Sequence, residues 1–122
     1  MDVADQPDAG VTAGVVVYRI QDRLFFANAH YFKRRLWAAV DGAPEPVRHV
    51  VLDGSFISDL DASAEVALRE VLDGLRERKI ELHVARAAQE LRNHLDSVGL
   101  VEAIGPDHFH GTVTAAVEAC TH

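Results

Sequence analysis

The chain has 122 residues, 48% of them hydrophobic and 25% charged, which is the composition of an ordinary soluble domain whose single core needs no metal or disulfide. The formal net charge of -7 argues against binding to nucleic acid or anionic lipid through bulk electrostatics. The sequence has no apolar run of about 20 residues and no signal peptide at its start, so we expect a cytoplasmic chain that does not insert into a membrane.

The first structural signal follows a polar start. Residues 1–14 contain Asp, Pro and Gly with little to bury, so we predict a flexible tether there and a folded domain over residues 15–122. The run Val15-Val16-Val17-Tyr18-Arg19-Ile20 is β-branched and aromatic, which favours a strand. Leu24-Phe25-Phe26 follows after three polar residues, and the two runs together predict a short β-hairpin.

A helix and a buried strand come next. Asn28 is a good N-cap, and apolar residues at a spacing of four predict a helix over residues 29–40, ended by Gly42 and Pro44. Residues 47–52 predict a third strand. Its run Val50-Val51-Leu52 lacks polar alternation, which is typical of a central strand covered on both faces.

The second half of the chain repeats this alternation. Asp61 is placed to cap a helix with an apolar stripe that runs down to a basic end at Lys79. Residues 80–84 alternate between apolar and polar, which predicts a fourth strand at an edge or with one partly wet face. Further helices are predicted over residues 89–98, stopped by Gly99, and from Thr112 onwards.

Strands that alternate with helices after an opening hairpin indicate an α/β fold. We predict one domain with a mixed sheet of four to five strands, an N-terminal hairpin and about four helices packed on the sheet.

The segment between the third strand and the helix after it is the first candidate site. A buried strand there delivers a turn at its carboxyl end, where open α/β sheets bind ligands, and the turn opens a helix whose free N–H groups attract anions. This predicts a binding or switch loop, although Asp61 and Ser58 as plain caps explain the same residue types. The candidate residues are Asp53, Ser55, Ser58, Asp59, Asp61 and Ser63.

Metal-assisted or covalent catalysis is the alternative for this loop. Asp53, Asp59 and Asp61 offer oxygen ligands for a divalent cation, which would suit a small Asp-dependent phosphatase or nucleotide hydrolase, but their spacing is not specific. The sequence lacks a Gly-x-Ser-x-Gly elbow and a phosphate-cradling glycine loop. The lone cysteine, Cys120, lies on the apolar stripe of the last helix and is interpreted as a small buried thiol.

Histidines and a basic cluster are weaker signals. Of the seven histidines only His108 and His110 are close in sequence, and zinc would need further ligands, so we expect a solvent-facing loop there and no metal. The cluster formed by His30 and residues 33–35 is interpreted as a solvated helix face, with a partner surface as the alternative if Tyr31 or a neighbouring aromatic is exposed.

The sequence also resembles a known family. Residues 47–52, then Asp53, then Ser58-Asp59-Leu60-Asp61-Ala62-Ser63-Ala64 and a helix look like a STAS domain, the fold shared by anti-sigma factor antagonists and the C-terminal cytoplasmic domains of SulP-type anion transporters. Val16-Val17-Tyr18-Arg19-Ile20 and Leu24-Phe25-Phe26-Ala27-Asn28-Ala29 resemble the SulP branch specifically.

The resemblance implies a function without catalysis or a required cofactor. The chain would be a regulatory domain of an inner- or plasma-membrane sulfate or related anion transporter, with the transmembrane domain of the same transporter, other proteins and a guanine nucleotide (GTP or GDP) as partners. The implied nucleotide or anion site comprises Phe26, Ala27, Asn28, Ala29, His30, Asp53, Ser55, Ser58, Asp59, Leu60, Asp61, Ala62 and Ser63.

A free-standing antagonist-like switch is the alternative within the resemblance. Antagonist members are switched by phosphorylation of a Ser directly after the motif Asp, and that position here is Ala62, which has no hydroxyl. Ser63 is the next hydroxyl, but Asp59 and Asp61 would repel a phosphate on it.

Overall fold

The opening hairpin lies earlier in the chain than the sequence predicts. The computed structural model describes residues 9–12, 14–19, 29–55, 57 and 61–121. Strand β1 (Ala9–Thr12) pairs antiparallel with β2 (Val15–Arg19), so the predicted tether over residues 1–14 is wrong for the residues of β1. The predicted partner strand, Leu24-Phe25-Phe26, lies outside the described residues, and both edges of β2 are occupied by other strands.

The strands form one mixed sheet in sequence order. Strands β3 (His49–Asp53), β4 (Glu81–Ala85) and β5 (Phe109–His110) follow β2, and each is parallel to its neighbour. The predicted mixed sheet of an α/β domain is therefore confirmed, with five strands among the described residues. Because β2, β3 and β4 run in the same direction, their carboxyl ends lie next to each other, and Arg19 of β2 is there the register partner of Asp53 of β3.

Helices cover both faces of this sheet. Four of them match the prediction: α1 (Ala29–Asp41), α2 (Ala62–Glu77), α3 (Gln89–Ser97) and α5 (Val113–Cys120). The part of the chain that the structure describes also contains a short helix, α4 (Leu100–Ile104), and a 3-10 turn, Pro106–His108, neither of which was predicted. None of these helices is long and apolar enough to cross a membrane.

Local capping explains where two of the helices begin. The Asp61 carboxylate accepts a hydrogen bond from the Ala64 N–H at 2.9 Å, and the Thr112 hydroxyl accepts one from the Ala115 N–H at 3.0 Å. The Asp61 cap was predicted, whereas Thr112 was predicted only as the start of its helix. The predicted cap of α1, Asn28, lies outside the described residues.

The sheet separates two unequal cores. The larger core joins α1, α2, α3 and α4 to residues such as Val16, Val50 and Leu82 on one face of the sheet. The smaller core lies under α5 and contains Val15 and Val51. Strand β3 is thus buried on both faces, as predicted for a central strand.

Helices α1 and α2 lie side by side because one of them lacks a side chain at the contact. A Cβ on Gly74 would lie 2.7 Å from Trp37 Cζ2, so the absence of a side chain lets the indole of α1 lie directly on α2. The Arg78 guanidinium lies over the indole ring, 4.4 Å from its centroid. This contact joins the C-terminal halves of the two helices.

Strand β4 differs from its prediction. It lies between β3 and β5 rather than at an edge, and His83 on its predicted wet face is only 5% exposed. The two-residue strand β5 is too short to be recognised from the sequence, and α5 packs over the same face.

Candidate functional site

A groove between the N-terminal halves of α1 and α2 is the candidate site. Its volume is about 450 Å³. It brings together Ala29 and His30 of α1 with Ala62 and Ser63 of α2, four residues of the predicted site. The complete lining is Ala29, His30, Lys33, Ala62, Ser63, Val66, Ala67 and Glu70.

The groove combines one ion pair with apolar surface. The Lys33 ammonium donates to the Glu70 carboxylate across the groove, so its charge is neutralised. Val66 is 53% exposed, and Tyr31 on the adjacent face of α1 is 50% exposed with its hydroxyl bonded to the Arg35 guanidinium. The sequence favours a solvated helix face for the basic cluster, and the exposed Tyr31 ring meets the condition given for the alternative, a partner surface.

Asp53 has a different environment from the groove. It ends β3, is 2% exposed, and accepts a hydrogen bond from the Ser55 N–H at 3.1 Å. The Arg19 Nε lies 3.8 Å and an Arg86 guanidinium nitrogen 3.6 Å from its carboxylate. Arg19 ends β2 and Arg86 follows β4, so the Asp53 carboxylate joins the carboxyl ends of three parallel strands.

The remaining predicted site residues lie either at the start of α2 or outside the described part of the chain. Asp61 is exposed and caps α2, and Ala62 and Ser63 are exposed in the first turn of that helix. Asp53 and Asp61 belong to no converging group of three metal-ligating side chains in the part of the chain that the structure describes. The other predicted positions, Phe26, Ala27, Asn28, Ser58, Asp59 and Leu60, lie outside that part.

A second polar cluster lies under the end of α5, on the opposite face of the sheet. His49 and Glu81 begin β3 and β4 and are register partners, and Cys120 ends α5. The Glu81 Oε1 atom is 3.4 Å from His49 Nδ1 and 3.7 Å from His83 Nε2. Neither contact is a hydrogen bond. His49 Nδ1 and His83 Nε2 are both buried, and neither atom has a hydrogen-bond partner.

His108 and His110 extend this cluster, so the expected solvent-facing loop is wrong. His108 belongs to the 3-10 turn, with its ring stacked on His83 at a centroid distance of 4.2 Å, and His110 belongs to β5. Both are partly buried. His110 Nε2 lies 3.1 Å from His83 Nδ1, and His108 Nδ1 lies 2.8 Å from the carbonyl oxygen of Leu82.

Burial controls protonation in this cluster. Desolvation, reinforced by His108, His110 and His49, lowers the pKa of His83 to about 4 against an opposing effect of Glu81. Burial and then the Glu81 charge raise the pKa of the Cys120 thiol to about 11. At neutral pH the imidazole of His83 is therefore uncharged and the thiol keeps its proton.

Sequence reasoning did not group these residues. His49, His83 and Cys120 are far apart in the chain, and only the register of β3 and β4 brings the first two together. The alternation of side chains along each strand could have grouped some of them. His49 and Val51 are two apart in β3 and Glu81 and His83 are two apart in β4, so each pair points to one face of the sheet.

Comparison with known proteins identifies related chains. Residues 6–116 match the family model described as the STAS domain. A probable sulfate transporter of Mycobacterium tuberculosis (strain ATCC 25618 / H37Rv) is 38% identical over 118 residues, which cover 97% of this chain and 21% of the relative. The chain spans about a fifth of the length of the curated relatives it matches.

Solved structures share the fold at low identity. A murine anion transporter of the Solute Carrier 26 family, in an inward-facing state, matches with a TM-score of 0.80 and 19% identity over 99% of this chain and 20% of that chain. A putative anti-sigma factor antagonist of Thermotoga maritima matches with a TM-score of 0.72 and 14% identity over 93% of both chains. These likenesses support the fold.

Proposed function

Because the chain belongs to the STAS domain family, we propose that it is a non-enzymatic, cytoplasmic regulatory domain of a SulP-type sulfate or related anion transporter. Its partner in this proposal is the transmembrane domain of the same protein. The support is the match to proteins named sulfate transporters over nearly the whole chain, together with the small share of their length that it spans.

The groove between α1 and α2 is the proposed contact surface. The observation that carries this assignment is the exposure of Val66 and Tyr31, the two large hydrophobic side chains that are exposed among the described residues, on and beside the groove. Apolar side chains left in water beside a concave surface are typical of a partner interface. Tyr31 lies on α1 and Val66 on α2.

The contact can be tested by sulfate uptake. In cells lacking other sulfate uptake, the reading frame that carries this chain is expected to support uptake of radiolabelled sulfate. Val66→Asp should lower uptake several-fold at equal protein abundance in the membrane, because a charge in an apolar contact carries a desolvation penalty. The matched control is Thr114→Asp on the exposed side of α5.

Two outcomes would contradict the proposal. One is a reading frame with no apolar segments of about 20 residues outside this chain. The other is a Val66→Asp protein that transports as well as the Thr114→Asp protein. The first outcome rejects the transporter assignment, and the second rejects only the groove as the contact.

A guanine nucleotide is the second proposed ligand of the same groove. The first turns of α1 and α2 open onto it, and the positive ends of the two helix dipoles together with His30 and Lys33 suit a phosphate. The volume of about 450 Å³ lies in the range of small-molecule pockets. Because Lys33 is paired with Glu70 and the net charge is -7, binding is expected to be weak.

The Lys33–Glu70 pair provides a sharp test of nucleotide binding. Titration of the isotope-labelled chain with GDP, GTP and ATP should shift amide signals in the first turns of α1 and α2. Lys33→Ala should abolish the shifts, whereas Glu70→Gln should strengthen binding several-fold because it removes the competing carboxylate. Scattered shifts, or equal binding by both variants, would exclude this groove as the phosphate site.

The antagonist-like switch has less support. The serine that is phosphorylated in antagonists corresponds to Ala62 in this chain, and the neighbouring Ser63 carries an exposed hydroxyl. Stoichiometric phosphate on Ser63 after incubation with kinases, detected by intact mass, would favour this alternative over the transporter domain.

A further inference from the structure

The side chains under the end of α5 form a converging set of metal ligands. Cys120 is the last residue of α5, His49 begins β3, and His83 lies on β4. One ligand atom from each lies within 4.8 Å of those of the other two. These side chains come from three separate elements, so the fold rather than local sequence brings them together.

Buried nitrogen atoms without partners point to a missing ligand. His83 is 5% exposed, and its Nε2 atom is buried with no hydrogen-bond partner. His49 Nδ1 is in the same condition. A buried polar atom without a hydrogen bond is costly and rare in folded proteins, so two such atoms beside one carboxylate require an explanation.

The remaining contacts of His83 orient it as a metal ligand. When its Nδ1–H donates to His110 Nε2, 3.1 Å away, the Nε2 lone pair is free and lies 3.7 Å from Glu81 Oε1. Metal-binding histidines commonly donate the second ring N–H to a neighbouring acceptor, which fixes the tautomer and the ring. His110 fills that supporting role here.

We propose that His49, His83 and Cys120 bind a divalent transition-metal ion of the zinc type, with the Glu81 carboxylate as the fourth ligand. Two imidazoles, a thiolate and a carboxylate are ligands that Zn²⁺ takes in tetrahedral sites. Mg²⁺ and Ca²⁺ prefer oxygen ligands and do not fit this set. The site is independent of the groove and of the proposed transport function.

Metal binding would release one proton, and a cavity would give the ion access to its ligands. The neutral imidazoles donate lone pairs directly, and the Cys120 thiol loses its proton to buffer as the metal–sulfur bond forms. A cavity of about 430 Å³ borders both His49 and Cys120 and leads to them. The lining is completed by Gly14, Glu45, Pro46, Arg48 and Thr121.

An ion at this position would tie α5 to the sheet. Ala116 is the one fully buried residue among residues 113–120, so apolar packing alone holds this helix weakly. A bond from Cys120 through the metal to His49 and His83 would join the end of α5 to β3 and β4. Metal binding should therefore raise the unfolding temperature.

The test uses the untagged chain with Zn²⁺ and with Co²⁺ as a spectroscopic probe. Calorimetry should show one Zn²⁺ per chain with proton release, and Co²⁺ should give the visible spectrum of a tetrahedral site with a thiolate charge-transfer band. Cys120→Ala should remove that band. It should also weaken Zn²⁺ binding by more than about 100-fold, because loss of a residue that only supports a ligand already costs up to about 100-fold. Mg²⁺ should have no effect.

Variants separate this ligand set from its alternatives. His83→Asn keeps a polar atom near His110 but removes Nε2, so it should abolish metal binding, whereas His94→Gln on α3 should leave it unchanged. A second group, Glu81, His83 and His108, also has ligand atoms within 4.8 Å of one another. Loss of binding in His108→Gln but not in Cys120→Ala, or no stoichiometric binding by the wild-type chain, would overturn the proposal. Since Cys120 is half-buried at a helix end, its variant tests the site even where His83→Asn does not fold.

Discussion

Acidification of the metal-free chain from pH 6.5 to pH 4 is expected to lower the free energy of unfolding by about 3 kcal/mol through His83 alone, because the pKa of this side chain falls from 6.5 in the unfolded chain to about 4 in the folded one. Between these values the unfolded chain binds a proton on His83 that the folded chain does not. Stability is therefore retained above pH 6.5, decreases as the pH falls, and shows no further loss from this group below about pH 4.

The surroundings of His83 explain the size of this effect. His49 faces it from β3, Glu81 from β4, His108 and His110 from the 3-10 turn and β5, and Cys120 from α5. A proton on His83 would be buried among three other imidazoles, and Glu81 offsets only part of that penalty. Burial also lowers the pKa of His110, which adds to the loss in the same direction.

Denaturant unfolding followed by fluorescence of Trp37, the only tryptophan, measures the effect in buffers that contain a chelator. His83→Asn is the informative variant because it removes the titrating ring while keeping a polar group near His110. The wild-type chain should lose about 3 kcal/mol more than this variant over the interval, and His30→Asn should behave like wild type. Parallel stability curves for wild type and His83→Asn would show that His83 is not buried in its neutral form.

Local signals explain which parts of the fold were predictable from the sequence. Asp61 and Thr112 cap α2 and α5 through their own side chains, and the run Val50-Val51-Leu52 marks β3 as a central strand. Strand β1 and strand β5 were missed for a common reason. Each is short, and each is held by pairing with a neighbour rather than by a hydrophobic pattern of its own.

The candidate sites show the same limit. The family resemblance implied one site that includes Ala29 and Ala62, and the groove brings these two residues together. Asp53 was placed in that site as well. Whether a carboxylate at a strand end is available to a ligand depends on the residues of the neighbouring strands, and here Arg19 and Arg86 form ion pairs with it. The cluster of His49, His83 and Cys120 depends on strand register, which the sequence does not reveal.

Asp53→Ala is expected to lower the free energy of unfolding by about 2 kcal/mol, in the range for loss of a hydrogen bond to a charged group. The Asp53 carboxylate is 2% exposed and accepts from the Ser55 N–H at 3.1 Å, so truncation leaves that N–H without its acceptor. Asp61→Ala is the matched control among the predicted site carboxylates. Asp61 is an exposed N-cap, and its loss should cost about 1 kcal/mol.

Further variants separate the hydrogen bond from the ion pairs of Asp53. Asp53→Asn keeps an oxygen that can accept from the Ser55 N–H, so it should cost about 1 kcal/mol, less than Asp53→Ala. The side chains of Arg19 and Arg86 are 55% and 52% exposed, and because water screens such pairs, Arg19→Met and Arg86→Met should each cost under about 1 kcal/mol. Urea unfolding followed by Trp37 fluorescence gives the values for all five variants, Asp61→Ala included. If Asp53→Ala were as stable as wild type, the carboxylate would not be the structural link between β2, β3 and β4, and its position at the strand ends would again favour a role in ligand binding.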